Sequence, residues 1–173
     1  FLWYIGVLVF FFLLIFFTLP RSGFDYLILS GLSLWGLLHL AGGGLVVGDS
    51  VLYSLVLWPL WELDGSTVLK YDQLVHFFGF GMSTLVAYHL LLPYLNSRVN
   101  WKVVFPILVA AGMGLGALNE VVEFIAVVSF PQTNVGGYTN TALDLVFNTL
   151  GAIAAVIFIR VSGYQQKQGK KTA

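Results

Sequence analysis

The chain contains no cysteine, and only 9% of its residues are charged. Without cysteine it has no disulfide, thiolate nucleophile, iron–sulfur cluster or cysteine zinc site. Soluble domains carry about 25% charged residues, so this chain cannot cover itself with polar surface. Its formal net charge is zero, and no basic block indicates nucleic acid binding. These shortages exclude several protein classes and leave the lipid bilayer as the expected solvent.

Long apolar runs take the place of the missing charge. Hydrophobic residues make up 58% of the 173 residues, and the mean hydropathy is +0.89. A spanning helix needs about 20 apolar residues. Five segments qualify, which predicts an all-α, polytopic membrane bundle with five transmembrane helices, at about 1–19, 24–47, 68–95, 103–128 and 141–161.

The two ends of the chain have different expected roles. The first apolar run is followed by "LPRSG" without a small-residue cleavage site, so we interpret it as a spanning helix and not as a removed signal. The sequence opens without methionine, which suggests that residues precede Phe1. We expect a single transmembrane domain over 1–161 and a polar cytoplasmic tail over 162–173.

The segment "VLYSLVLWPLWEL" (51–63) lies between the second and third runs and contains Pro59. It is too short to span a bilayer. Tyr53, Trp58 and Trp61 suit the headgroup region, where amphipathic rings are enriched. We therefore predict a short interfacial or re-entrant segment here.

Basic residues fall in alternate connections, whereas the connections at about 48–67 and 129–140 contain no Lys or Arg. By the positive-inside rule, the basic connections and the tail are cytoplasmic, and the N-terminus is outside. This predicts a multi-pass protein of the inner, or cytoplasmic, membrane. The residues that carry the argument are Arg21, Arg98, Lys102, Arg160, Lys167, Lys170 and Lys171.

Polar residues recur on one face of each of four helices; on the second helix, His39 shares its face with Trp35 and two glycines. The stretch "GALNEVVEFIAVV" (116–128) places two carboxylates three positions apart, and two further pairs are four positions apart. Spacings of three and four share a helical face, and small residues that permit close packing extend each face. At about 1.5 Å of rise per residue, these groups lie within roughly 5–15 Å of the outer boundary. The pairs are Asp72 with His76, Glu120 with Glu123, and Asp144 with Asn148.

Carboxylates placed within the bilayer cost free energy that another interaction must offset. A charged residue at mid-bilayer costs about 2.5–3.5 kcal/mol even on the lenient insertion scale. The carboxylates of Glu120 and Glu123 are like charges on one face, so we expect one of three solutions: a bound metal, a proton shared with His76 or Asp144, or a hydrated cavity. Carboxylates and imidazole suit Mn, Zn, Fe or Mg. The predicted divalent-metal ligands are Asp72, His76, Glu120, Glu123 and Asp144, with Glu120 and Glu123 as catalytic candidates and His39 and Asn148 in support.

Simpler interpretations stand beside this one. Asp72 and Asp144 near helix starts are also explained by the N-terminal helix dipole. His39 alone is more typical of an interhelical hydrogen bond than of a metal ligand. Asn119 and Asn140 are expected to be local hydrogen bonders.

Three stretches carry a family resemblance: "YDQLVHFFGFG" (71–81), "GALNEVVEF" (116–124) and "NVGGYTNTALDLVFNTLGAIAA" (134–155). They resemble the motifs of YjdF-type bacterial and archaeal inner-membrane proteins and, more distantly, those of VanZ-like proteins, over roughly residues 35–158. The resemblance implies a small polytopic helical membrane protein and no established reaction. VanZ-like members are associated with resistance to teicoplanin-type antibiotics. They have Glu-x-x-Gln in the acidic helix, whereas this chain has Glu120 and Glu123, and the acidic pair of YjdF-type proteins near the C-terminus is reduced here to Asp144 with Asn148.

Three functions follow as alternatives. The first is an outward-facing pocket that binds a divalent metal or another cation and acts on a lipid or isoprenoid headgroup; known zinc-helix, nucleophile-elbow and di-iron motifs are missing from the sequence. The second is an accessory subunit of a larger membrane complex. The third is a component of proton or cation transport, since intramembrane acids and histidines mark such pathways. Membrane lipids are the expected partners in all three, and other membrane subunits are the partners in the second.

Overall fold

The computed structural model describes residues 2–63, 66–95, 98–130, 136–162 and 164. Within these ranges, five helices are long and apolar enough to cross a membrane. The predicted all-α membrane bundle is therefore confirmed, and the protein is a multi-pass membrane protein. The helices are α1 (Leu2–Ser22), α2 (Tyr26–Gly44), α3 (Tyr71–Leu91), α4 (Trp101–Ser129) and α5 (Tyr138–Val161).

Polar side chains fix where three of these helices begin. Asp25 Oδ1 accepts a hydrogen bond from the main-chain N–H of Ile28 and caps α2, at 3.0 Å. Asn100 Oδ1 accepts from the N–H of Lys102 at 3.1 Å and caps α4. Gln73 reaches back from the first turn of α3 to accept from the N–H groups of residues 69 and 70. Each cap satisfies a main-chain donor that has no partner within its helix.

Helix α3 lies at the centre of the bundle and packs against α2, α4 and α5, whereas α1 contacts the bundle mainly through α2. Gly151 allows the main chains of α3 and α5 to approach each other closely. A Cβ atom at Gly151 would clash with the main-chain oxygen of Phe77 and would come within 3.0 Å of the nitrogen of Gly81. The absence of a side chain at Gly151 therefore sets how near the polar faces of α3 and α5 come.

Apolar residues fill the half of the bundle near the start of α4. Tyr88, Leu108 and Ile159 are almost fully buried there, from three different helices. At the same end, the hydroxyl of Tyr164 donates to Asp25 Oδ2 at 2.6 Å. This contact ties the residues after α5 to the start of α2. Among the described residues of this half, the core is mainly apolar and aromatic; the hydroxyl of the buried Thr84 donates to the main-chain oxygen of Phe80.

The segment between α2 and α3 has more structure than the sequence argument predicted. It forms two small antiparallel hairpins, β1 (Val46–Val47) with β2 (Ser50–Val51) and β3 (Glu62–Leu63) with β4 (Ser66–Thr67), and a short 3₁₀ helix at Leu52–Ser54. We call the end of the bundle that carries this segment the hairpin end. The main chain of residues 55–61 pairs with that of residues 68–71, so the segment doubles back, as the re-entrant alternative requires. Its depth in the bilayer stays a prediction.

Some boundaries differ from the expected ones. Helix α5 begins at Tyr138 instead of residue 141, and α2 ends at Gly44 instead of residue 47. Leu45 is extended, and the first hairpin follows directly. The earlier start of α5 places Asp144 in its second turn, beyond the dipole region of the first turn. Residues 163 and 165–173 of the predicted tail lie outside the described residues.

Candidate metal centre

The polar faces of α3, α4 and α5 meet near the hairpin end of the bundle. Helix α3 begins at this end and α4 ends there, while α5 starts there. The cluster therefore combines the first two turns of α3 and α5 with the last turns of α4. We call it the acid–histidine cluster; it comprises Asp72, His76, Glu120, Glu123 and Asp144.

His76 lies at the middle of the acid–histidine cluster, and its side chain is only 2% exposed. Its Nε2 atom is 3.6 Å from Asp72 Oδ1 and 3.9 Å from Glu123 Oε1. Its Nδ1 atom is 3.6 Å from Glu120 Oε1 and 3.0 Å from Asn148 Oδ1. Only the contact with Asn148 has hydrogen-bond length.

The contact between His76 and Asn148 determines which ring nitrogen is available. A carbonyl oxygen only accepts, so Nδ1–H donates to Asn148 Oδ1. The lone pair of a neutral ring is then on Nε2, which has no hydrogen-bond partner among the described residues. Asn148 is itself held close to α4 at Gly116, where a Cβ atom would lie 2.6 Å from Asn148 Nδ2. The free lone pair of His76 thus points toward carboxylate oxygens.

Asn140, one turn before Asp144, connects the two aspartates. Its Nδ2 donates to Asp144 Oδ2 at 2.6 Å and to Asp72 Oδ2 at 3.3 Å. Asp144 is fully buried, and its other oxygen, Oδ1, has no hydrogen-bond partner among the described residues. One oxygen of Asp144 is therefore held by an amide, and the other is available to a ligand.

The two glutamates are arranged in a comparable way on α4. Asn119 Nδ2 donates to Glu123 Oε1 at 2.9 Å. Glu120 Oε1 is buried and has no hydrogen-bond partner within the described ranges. The side chain of Glu120 is 8% exposed, whereas those of Glu123 and Asp72 are 14% and 20% exposed. The cluster is thus most accessible at Asp72 and Glu123.

His39, which the sequence predicted as a supporting residue, makes a different set of contacts. Its Nδ1 pairs with the hydroxyl of Tyr53, and that hydroxyl also donates to the main-chain oxygen of His39 at 3.1 Å. The ring packs beside Trp35, with centroids 5.4 Å apart. His39 therefore joins α2 to the 3₁₀ helix after it, as the hydrogen-bond interpretation expects. It belongs to neither of the ligand groups that the described residues form.

The acid–histidine cluster offers the ligand atoms of a metal site in two overlapping groups. One group is Asp72, His76 and Asp144, and the other is His76, Glu120 and Glu123. Within each group the candidate ligand atoms lie within 4.8 Å of one another. Oxygen and imidazole donors of this kind suit Mg²⁺, Mn²⁺, Fe²⁺ or Zn²⁺. All five sequence-predicted ligands therefore lie together, and Asn148 lies against them.

The family model described as "Predicted membrane protein (DUF2238)" matches residues 1–164. The chain belongs to this family of predicted membrane proteins. The YjdF-type resemblance refers to the DUF2238 family and is confirmed, whereas the more distant likeness to VanZ-like proteins finds no support. The comparisons with curated proteins and with solved structures give no match.

Two residues of this DUF2238 chain have more specific roles than the sequence argument gave them. Asn119 and Asn140 each donate to the carboxylate four positions later, at Glu123 and at Asp144. The repeated spacing Asn-x-x-x-acid was the available signal, because residues four apart share a helical face. Both were expected to be local hydrogen bonders, and the bonds four positions along each helix agree with that expectation; the second bond of Asn140, to Asp72, depends on the contact between α3 and α5.

Proposed function

We propose that the acid–histidine cluster binds a divalent metal ion at a site that faces the outer side of the membrane. The proposal rests mainly on the environment of the Nε2 atom of His76. It is buried, lacks a hydrogen-bond partner among the described residues, and faces oxygens of Asp72 and Glu123. A lone pair and carboxylate oxygens repel one another unless a positive group lies between them.

The separations favour a metal ion over a shared proton. Hydrogen bonds from nitrogen to oxygen measure about 2.7–3.2 Å, and the distances from Nε2 to Asp72 and Glu123 are 3.6 and 3.9 Å. Two ligands of one ion, each bound at about 2.0–2.2 Å, lie on the order of 3–4 Å apart. The observed spacing therefore fits ligands arranged around a common cation better than groups that share a proton.

Burial adds an energetic reason for a bound cation. Glu120 and Asp144 are buried, and each keeps one oxygen without a hydrogen-bond partner among the described residues. An unpaired buried charge costs several kcal/mol, on the order of the penalty for taking one ion out of water. A metal ion compensates these charges directly. The outward orientation is supported by the basic residues at the opposite end of the bundle, by the positive-inside rule.

A conduit for ions receives less support. Beyond the acid–histidine cluster, the described core toward the start of α4 is mainly apolar and includes Leu85, Tyr88, Leu108 and Ile159. A transport path would need polar groups or water to continue there. The one-sided arrangement instead supports a binding site.

Lipid or isoprenoid headgroup chemistry is a second candidate function, favoured by the partial exposure of Asp72 and Glu123. Their side chains are 20% and 14% exposed, against 2% for His76. A bound metal could activate water there, with a glutamate as the base. Mn²⁺-loaded protein in nanodiscs should then release a soluble headgroup from membrane lipid extract, and Glu123→Gln should release none. Equal release from wild type and Glu123→Gln would exclude this activity.

The metal proposal is tested by elemental analysis of protein purified in detergent and dialysed against Mn²⁺ or Zn²⁺. Wild type should retain bound metal, and the double variant Glu120→Gln/Glu123→Gln should retain clearly less metal than wild type while its helical circular dichroism is unchanged. The matched control is Asp49→Asn/Glu62→Gln, which removes two exposed acids from the hairpin end and should bind metal normally. A metal-free wild type, or a glutamate double variant with full occupancy, would overturn the proposal.

A further inference from the structure

We infer that the acid–histidine cluster holds two divalent cations side by side, one against the aspartates and one against the glutamates. This inference rests on the proposed function and extends it from one bound metal to a two-metal centre. The aspartate position comprises Asp72 and Asp144, and the glutamate position comprises Glu120 and Glu123. His76 lies between them and belongs to both ligand groups.

The distances between the candidate ligand atoms favour two ions over one. Ligand atoms bound at about 2.0–2.2 Å to one ion lie no more than about 4.4 Å apart. In each group of three residues the candidate ligand atoms lie within 4.8 Å of one another, which is close to that limit. Among the described residues, however, the five side chains form two such groups and not a single group of five. One ion therefore cannot take all five ligands as they stand. Two ions about 3.5–4 Å apart, the spacing of two-metal sites, match the two adjoining groups.

Each of the two positions contains one buried carboxylate oxygen without a hydrogen-bond partner among the described residues. Asp144 Oδ1 is buried on the aspartate side, and Glu120 Oε1 is buried on the glutamate side; neither has a hydrogen-bond partner in the described part of the chain. Each proposed position thus contains its own buried and unsatisfied oxygen. Occupancy of one position alone would leave the other oxygen without compensation, and such groups are rare in folded proteins.

The charge of the acid–histidine cluster also favours two divalent cations. The four carboxylates of the cluster carry four negative charges when ionised. One divalent cation leaves two of these charges uncompensated in a largely buried site, whereas two divalent cations neutralise all four. Burial of uncompensated charge is costly, so full occupancy is the favoured metal-loaded state.

The supporting amides divide in the same way as the carboxylates. Asn140 donates to both aspartates, and Asn119 donates to Glu123. His76 Nδ1 is occupied by Asn148, so only Nε2 can bind metal, and it can serve only one ion at a time. The two ions should therefore bind in two steps of unequal affinity.

Titration with Mn²⁺, followed by electron paramagnetic resonance, tests the inference in nanodiscs. Wild type should bind two Mn²⁺ per chain, and the saturated sample should show a spin-coupled spectrum instead of the hyperfine pattern of isolated ions. Asp144→Asn and Glu120→Gln should each reduce the stoichiometry from two to one and restore the isolated-ion spectrum. Both replacements keep the side-chain size, and circular dichroism checks that the helices persist.

The outcomes separate the two proposals. One Mn²⁺ per wild-type chain, or two without spin coupling, would overturn the two-metal inference and leave the proposed metal site in place. No bound Mn²⁺ in wild type would overturn both. Because the wild-type measurement decides by itself, the inference can be tested even if a variant fails to fold.

Discussion

His76 and His39 lie at the same end of the bundle, but their contacts differ. The ring of His76 faces Asp72, Glu120 and Glu123 at 3.6–3.9 Å, whereas the ring of His39 pairs with Tyr53. The chain therefore offers a matched pair of histidines, one of them inside the acid–histidine cluster. A comparison of the two distinguishes metal coordination from a general need for polar groups at this end.

We predict that His76→Gln weakens Mn²⁺ binding by more than the about 10–100-fold typical of losing a supporting residue, because it removes a direct ligand. His39→Gln should keep the wild-type affinity and stoichiometry. Isothermal titration in detergent measures both variants. Equal losses in the two variants would contradict a ligand role for His76 and would indicate a shared structural effect.

Asn140 provides a second test with a single residue, because its side-chain amide donates hydrogen bonds to both Asp72 and Asp144. Asn140→Leu is close in size but has no donor, and we expect it to lower Mn²⁺ affinity by about 10–100-fold. Asn100→Ala is the control: it removes the cap of α4, should cost about 1 kcal/mol of unfolding free energy, and should leave metal affinity unchanged. Titration and unfolding of both variants separate the effects; an Asn140→Leu protein with normal affinity would refute the assigned role.

At the scale of helices and strands, long apolar runs were sufficient to predict the five spans, because each run has one dominant structural option in lipid. The hairpins between α2 and α3 were not predicted. Their strands are two residues long, too short for an alternating pattern to be recognised. The faces of α3, α4 and α5 were predictable from spacing, but the bond from Asn140 to Asp72 joins residues 68 positions apart and depends on how the helices dock.

Close contact between α3 and α5 determines the docking of these faces, and Gly151 lies at that contact. A methyl group at Gly151 would clash with the main chain of α3. We predict that Gly151→Ala lowers the unfolding free energy by about 1–3 kcal/mol, the usual cost of overpacking. It should also weaken Mn²⁺ binding, since it separates the ligands of α3 from those of α5.

Gly114 provides the matched control for Gly151, because a Cβ atom there would have nothing within 4 Å. Gly114→Ala should therefore leave metal affinity unchanged and should not destabilise α4, since alanine favours helix more than glycine does. Unfolding in mixed micelles and Mn²⁺ titration measure both variants. A Gly151→Ala protein as stable as Gly114→Ala would show that α3 and α5 do not pack as closely as described.

For the whole molecule, the distribution of basic residues predicts which side of the membrane the acid–histidine cluster faces. The described basic residues Arg21, Arg98, Lys102 and Arg160 lie in or beside connections at the end opposite the hairpins, whereas Lys70 lies at the hairpin end. The positive-inside rule then places the basic end in the cytoplasm. We therefore predict that the hairpin end, with the more accessible Asp72 and Glu123, faces outward, and that metal enters from outside the cell.

The absence of native cysteine makes this orientation measurable with single cysteines. Ser50 in β2 and Ser162 just after α5 are both exposed and lie at opposite ends of the bundle. In intact cells, a membrane-impermeant maleimide should label Ser50→Cys, and it should label Ser162→Cys only after the membrane is permeabilised. The cysteine-free parent controls for background labelling. The reverse pattern would place the acid–histidine cluster on the cytoplasmic side, and metal supply would then have to come from the cytoplasm.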